Sequence, residues 1–173
     1  MSDFLPAFWR TMSFEDPQHL YALIPDNQGN VISGINSLAW PAQFAAIAAI
    51  PQAQRGPAIQ QFYLQCFWEP MNLAGLKYQD LANQVFDSGV NQGSGTAGAL
   101  LQRACNSVAG NSGTLEVDGD IGPLTLAEAN SLLPLHLLDR FIQVRIDFYR
   151  QIVKHNPADE PYLADWIRRT LAP

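Results

Sequence analysis

Between Val85 and Pro123 the chain reads VFDSGVNQGSGTAGALLQRACNSVAGNSGTLEVDGDIGP, and few folds accommodate such text. A helical run of mostly small residues reaches Asn91, breaks at Gly93-Ser94-Gly95, and resumes to Val108. It ends in VDGDIGP, a tight turn. Small side chains let a neighbouring helix or a ligand come close, while Gly, Asn and Asp supply turn conformations. Solvent-facing helix of a generic kind would carry longer, charged residues. The block therefore predicts two closely packed helices and a Gly/Asn/Asp-rich loop over 109–122.

The flanking text is also helical. Phe4, Phe8 and Met12, with Leu5 and Trp9, recur at helical spacing and place an amphipathic helix over 3–14, with Glu15 at its end. From Asp16 to Ser37 the pattern changes to Pro, Gly, Asp, Asn and Ser among short apolar pairs, which reads as a small hairpin or looped flap. Helices are expected again over 41–50, 57–67, 78–91, 96–108, 123–132, 135–155 and 159–171. The longest carries an apolar stripe through Leu138, Phe141, Val144 or Arg145, Phe148 and Ile152. The sum is a mainly α chain of seven or eight helices with one irregular insert near 16–37.

Composition narrows the function classes. A chain of 173 residues with 47% hydrophobic and 15% charged residues is long enough for one substantial core. A formal charge of −6 argues against nucleic acid, whose phosphates call for a basic excess. Cys66 and Cys105 are expected to be two buried, reduced thiols rather than a disulfide. His19, His136 and His155 are scattered, no Cys/His spacing suits a metal, and no cofactor is called for. The first residues lack the basic-then-apolar pattern of a Sec signal, and no apolar run reaches the ~20 residues of a membrane span. A monomer made in the cytoplasm is expected, acting at the cell wall or periplasm after holin- or secretion-system-dependent export.

Among candidate chemical groups, Glu15 closes an aromatic-rich helix and is followed by a polar segment bearing Asp26. A carboxyl against Trp or Phe loses solvation and can stay protonated as a general acid, while a second carboxyl in a polar flap stays ionised. By spacing alone this resembles many acidic helix ends. Asp87 and Asn91 lie four apart on one helical face, as either an internal hydrogen-bonding pair or part of a ligand site. Asp118-Gly119-Asp120 lacks the remaining ligands of a calcium loop and reads as a turn. Arg140, Arg145, Arg150, Arg168 and Arg169 suit ion pairs and solvated faces.

Taken in order, these segments resemble a known family. FEDPQHLYALIPDNQGNVISGIN, FYLQCFWEP, VFDSGVNQG, LLQRACN, VDGDIGPLT and the closing LLDRFIQVRIDFYRQIV and YLADWIRR are similar to the glycosyl hydrolase 108 family of N-acetylmuramidases, with its C-terminal peptidoglycan-binding region. The resemblance implies a lysozyme-like helical fold, with a catalytic region over 1–94 and a peptidoglycan-binding-like region over 95–173 packed as one unit. It implies cleavage of the β-1,4 bond between N-acetylmuramic acid and N-acetylglucosamine in peptidoglycan glycan strands. Glu15 falls on the catalytic glutamate, with Asp26 and Ser33 at acidic and hydroxyl positions beside it. Tyr63, Trp68, Asp87 and Asn91 would bind substrate. The chain departs from the family where Gly-Gly after the acid is Asp16-Pro17 and where Thr is Ser33. A second reading is a catalytically impaired peptidoglycan-binding or secretion-accessory protein; a third is a wall-targeting effector.

Overall fold

The computed structural model describes residues 1–26, 28–110 and 115–172. Helix α1 (Phe4–Glu15) leads into three two-residue strands, β1 (Leu23–Ile24), β2 (Val31–Ile32) and β3 (Ile35–Asn36). They form an antiparallel meander in which Leu23 pairs with Ile32 and Val31 with Asn36. Then come α2 (Pro41–Ala48), α3 (Gly56–Tyr63), α4 (Gln79–Gln92), α5 (Ser94–Val108), α6 (Pro123–Ser131), α7 (Pro134–His155) and α8 (Glu160–Leu171). Proline stands in the first turn of α2, α3, α6, α7 and α8, where its missing N–H costs nothing. The expected mainly α fold with a short β insert is thus the fold adopted. Residues 111–114 of the expected loop lie outside the described residues.

Helix α3 runs on into a π-helical turn, Leu64–Trp68, closed by the Glu69 N–H donating to the Leu64 carbonyl at 2.9 Å. This wider turn brings Tyr63, Phe67 and Trp68 all into the interior. Helix α4 is the central element, with Leu81, Ala82 and every residue from Gln84 to Gly89 buried. One hydrophobic cluster runs from Ala7 in α1 through α4 and α5 to Phe141 in α7. It crosses residue 94 without a break.

Two amphipathic readings need adjustment. In α1 the Phe8–Met12 row is buried, but Leu5 and Trp9 are 48% and 44% exposed. In α7 the buried row is Leu137, Phe141, Arg145 and Tyr149 with Ile146, so the stripe lies one residue away from the expected Leu138 and Phe148. A strict i+4 row through Arg145 wins because that arginine has a buried carboxylate to meet. Cys105 is fully buried and Cys66 only partly, and both are free. Burial, with the charge of Glu128, pushes the Cys105 thiol up to about 12. Among the described residues, no helix is long and apolar enough to cross a membrane.

Candidate active site

Helix α1 stops at Glu15 because Asp16 precedes Pro17, and a residue before proline is driven from helical to extended backbone. Asp16 then organises the loop that follows. Its carboxylate accepts the N–H groups of Leu20 and Tyr21 at 3.0 and 2.8 Å and the hydroxyl of Ser33 at 2.7 Å. Partial burial opposes its charge, but the Ser33 hydroxyl and the two N–H groups prevail and hold it below the ordinary carboxylate range. Arg55 ties the same loop to the body, donating to the carbonyls of Ile50, Tyr21 and Ala48.

The β2–β3 turn, Ser33-Gly34, thereby sits against the end of α1. Gly34 has φ +81°, and a Cβ there would fall 2.6 Å from both Glu15 Oε2 and the Tyr63 hydroxyl. Only glycine makes room for this approach. Tyr63 comes from α3 and donates to the Ser33 carbonyl at 2.8 Å, fixing the turn from below. Burial, then the neighbouring charge of Glu15, raises its phenol well above the ordinary value.

Glu15 Oε1 meets Arg169 Nη2 of α8 at 2.7 Å, and a fifth of the Glu15 side chain remains exposed. Arg169 also grips Asp87 of α4, through Nε at 3.1 and 3.2 Å and Nη2 at 2.9 Å. Asp87 has no exposed surface and takes Arg145 Nη2 of α7 at 2.7 Å. Burial alone would raise its carboxyl; Arg145 and Arg169, then Arg10, outweigh that and hold it at about 2. Arg145 is itself held by Gln84 and Tyr149, and Tyr149 donates to Asn91 at 2.6 Å. Arg10 Nη1 lies 3.4 Å from Asp87 Oδ2 but makes no hydrogen bond among the described residues.

The geometry gathers some expected residues and not others. Glu15, Gly34, Tyr63 and Arg169 converge at one place. Asp26 does not join them: it is exposed in the β1–β2 turn, level with Gly29, to which its carbonyl is bonded. Strand β2 lies between that turn and Gly34, which sits in the turn at the opposite end of the meander. The catalytic hydroxyl expected at Ser33 is committed to Asp16, so Ser33 holds the turn instead of carrying water. Tyr63, Trp68 and Asp87, expected at the substrate, are each buried, and Trp68 borders a surface hollow away from Glu15. Trp68 moreover packs on Phe4, at the far end of α1, about 16 Å from Glu15 at 1.5 Å per residue. Asn91 is exposed but spends its carbonyl oxygen on Tyr149.

Sequence reasoning missed Arg10, Arg145 and Arg169 as one cluster. The signal was there. Arg145 and Tyr149, four apart on α7, face Asp87 and Asn91, four apart on α4. A hollow of about 420 Å³ beside Trp68, Glu69, Asn72 and Leu126 lies away from Glu15. Among the described residues, no group of three or more His, Cys, Asp or Glu side chains is arranged to hold a metal ion.

Comparison with known proteins now bears on this site. The family model for Glycosyl hydrolase 108 matches residues 23–93, and that for Predicted Peptidoglycan domain matches residues 96–171, in that order. The glycosyl hydrolase 108 match begins after Glu15, so it includes the Gly34 turn and Asp87 but not the acid itself. Arg145 and Arg169 fall within the peptidoglycan domain. A solved structure of SagA from Brucella abortus has the same fold, with a TM-score of 0.64 at 17% identity over 97% of this chain and 93% of that one. No curated protein matches the chain. The two family matches support a glycoside hydrolase class and a peptidoglycan-directed role.

Proposed function

We propose that the protein is an N-acetylmuramidase that hydrolyses the β-1,4 bond between N-acetylmuramic acid and N-acetylglucosamine, with Glu15 as general acid. The observation that carries this reading is the seating of Glu15. It is a part-exposed carboxyl at a helix end, pressed on a bare glycine turn and fixed through one oxygen by an arginine. In the acid form Oε1 accepts a hydrogen bond from Arg169 while Oε2 carries the proton; once that proton passes to the leaving glycosidic oxygen, the carboxylate left behind is the partner of the Arg169 ion pair. Asp26, exposed at the hairpin tip, is the carboxylate available to steady the developing positive charge or hold water once a glycan strand draws the tip inward. No step calls for a metal. The site of action is the cell wall, reached by export.

The test is release of reducing ends from purified peptidoglycan. Glu15→Gln should lower the rate about 10²- to 10⁴-fold, the usual worth of a general acid, with an unchanged circular dichroism spectrum. Undiminished hydrolysis by that variant would sink the assignment. The second reading, a peptidoglycan-binding or secretion-accessory protein, is favoured by Asp16-Pro17 standing where the family has Gly-Gly. Wild-type protein that sediments with sacculi but releases no reducing ends would establish it.

A further inference from the structure

We propose that Arg169 of α8 is a positioning residue for Glu15, held in place by Asp87, so that the peptidoglycan domain completes a site begun in the hydrolase region. The inference rests on Glu15 being the acid. Arg169 is 11% exposed and lies in the last turn of α8. Its guanidinium is clamped edge-on by Asp87 through Nε and Nη2, and the same Nη2 reaches Glu15 Oε1. A planar fork anchored on one carboxylate has few ways to turn, so the second carboxylate is fixed as well.

The anchor is rigid in turn. Asp87 is enclosed on all sides, and its other oxygen is engaged by Arg145, which Gln84 and Tyr149 hold from two sides. The Phe14 ring supports the Arg169 guanidinium at 5.0 Å. Gln84 accepts Arg145 and donates to the Thr170 carbonyl, docking α8 next to the arginine. Arg168, its neighbour, is 80% exposed and pairs only with Asp165. Of the two consecutive arginines, one alone is built into the site.

Among the described residues, the charges facing this group from the packed elements are Arg10 from α1, Asp87 from α4, Arg145 from α7 and Glu15 itself. Three guanidinium groups meet one fully buried carboxylate, and Glu15 is the second negative group. Removing Arg169 should therefore free the Glu15 side chain to leave its place against the Gly34 turn.

The test uses the full chain. Arg169→Met should cut kcat by about tenfold with little change in KM, since a displaced acid loses rate more than binding. Arg169→Lys, which keeps charge but not the fork, should recover only part of that loss. Arg168→Met should change neither kcat nor KM. The readout independent of activity is the Glu15 side-chain carboxyl ¹³C signal by NMR, which should move in Arg169→Met and stay in place in Arg168→Met. A Glu15 signal unmoved in folded Arg169→Met would overturn the inference, whatever the rate does.

If that variant does not fold, the wild type carries the test. Its Arg169 side-chain NMR signals should shift with the Glu15 titration and lose that step in Glu15→Gln; signals indifferent to Glu15 would overturn the inference. Absence of hydrolysis by the wild type would instead count against the proposed function.

Discussion

Asp87 has no solvent-exposed surface yet remains ionised, because three arginines from three helices surround it. Its carboxyl is held at about 2 in the folded chain, against an ordinary carboxylate value near 4 when unfolded. A depressed acid contributes stability that is complete above the unfolded value and is lost as pH falls toward the folded one. The fold should therefore lose on the order of 2 kcal/mol from this group between about pH 4 and pH 2. Urea titrations across that range should show the loss in the wild type and not in Asp87→Asn. At neutral pH Asp87→Asn should cost about 3–5 kcal/mol, since it leaves buried guanidinium groups facing one another. A variant as stable as the wild type at pH 7 would mean that the arginines find other partners. At this scale the sequence was only half legible. The Asp87–Asn91 spacing could be read as an internal pair or a ligand site; in the fold each is bonded to a different residue of α7, Asp87 to Arg145 and Asn91 to Tyr149, and nothing local says which arginines reach Asp87. Their partners lie 58 and 82 positions away along the chain.

Among elements, the small-residue block behaves as its composition implies. Helix α5 presents Gly98 to the VDGDIGP loop so closely that a Cβ there would stand 2.0 Å from the Gly119 carbonyl oxygen. Gln102, one turn further on, clamps the same loop by donating to Asp118 and the Asp120 carbonyl and accepting the Gly119 N–H. Gly98→Ala should displace the loop from α5 and cost at least the ~1–3 kcal/mol of an overpacked core position. The cost should appear as a lower Tm, with hydrolysis at permissive temperature little changed, because Glu15 lies on another part of the fold. An unchanged Tm would show that loop and helix part freely. Helix positions were legible because periodicity and proline starts are local signals. The faces of α1 and α7 were less so: Trp9 packs on His19 in the surface loop rather than in the core, and Arg145 occupies a place that hydropathy assigns to an apolar residue. The hairpin was legible as an insert, but its register decides that Gly34, and not Asp26, meets Glu15.

For the whole molecule, the boundary between the two family regions falls between α4 and α5, where the structure has no seam. Helix α4 packs on α1 on one side and on α5 and α7 on the other. The hydrophobic cluster and the Asp87 network both cross that line. If the C-terminal helices detached, Asp87 would lose Arg145 and Arg169, and the faces of α4 packed on α5 and α7 would be bared. Neither loss is tolerable within a typical stability of 5–15 kcal/mol. Both regions should therefore unfold in one transition. Trp40 and Trp68 report on the hydrolase region and Trp166 on the peptidoglycan domain, so three single-tryptophan versions should give the same urea midpoint by fluorescence. A Trp166 signal that melts well before the other two would identify the peptidoglycan domain as a separable module. In that case a site completed by Arg169 would exist only while the two are docked, and hydrolysis would fail at the lower midpoint.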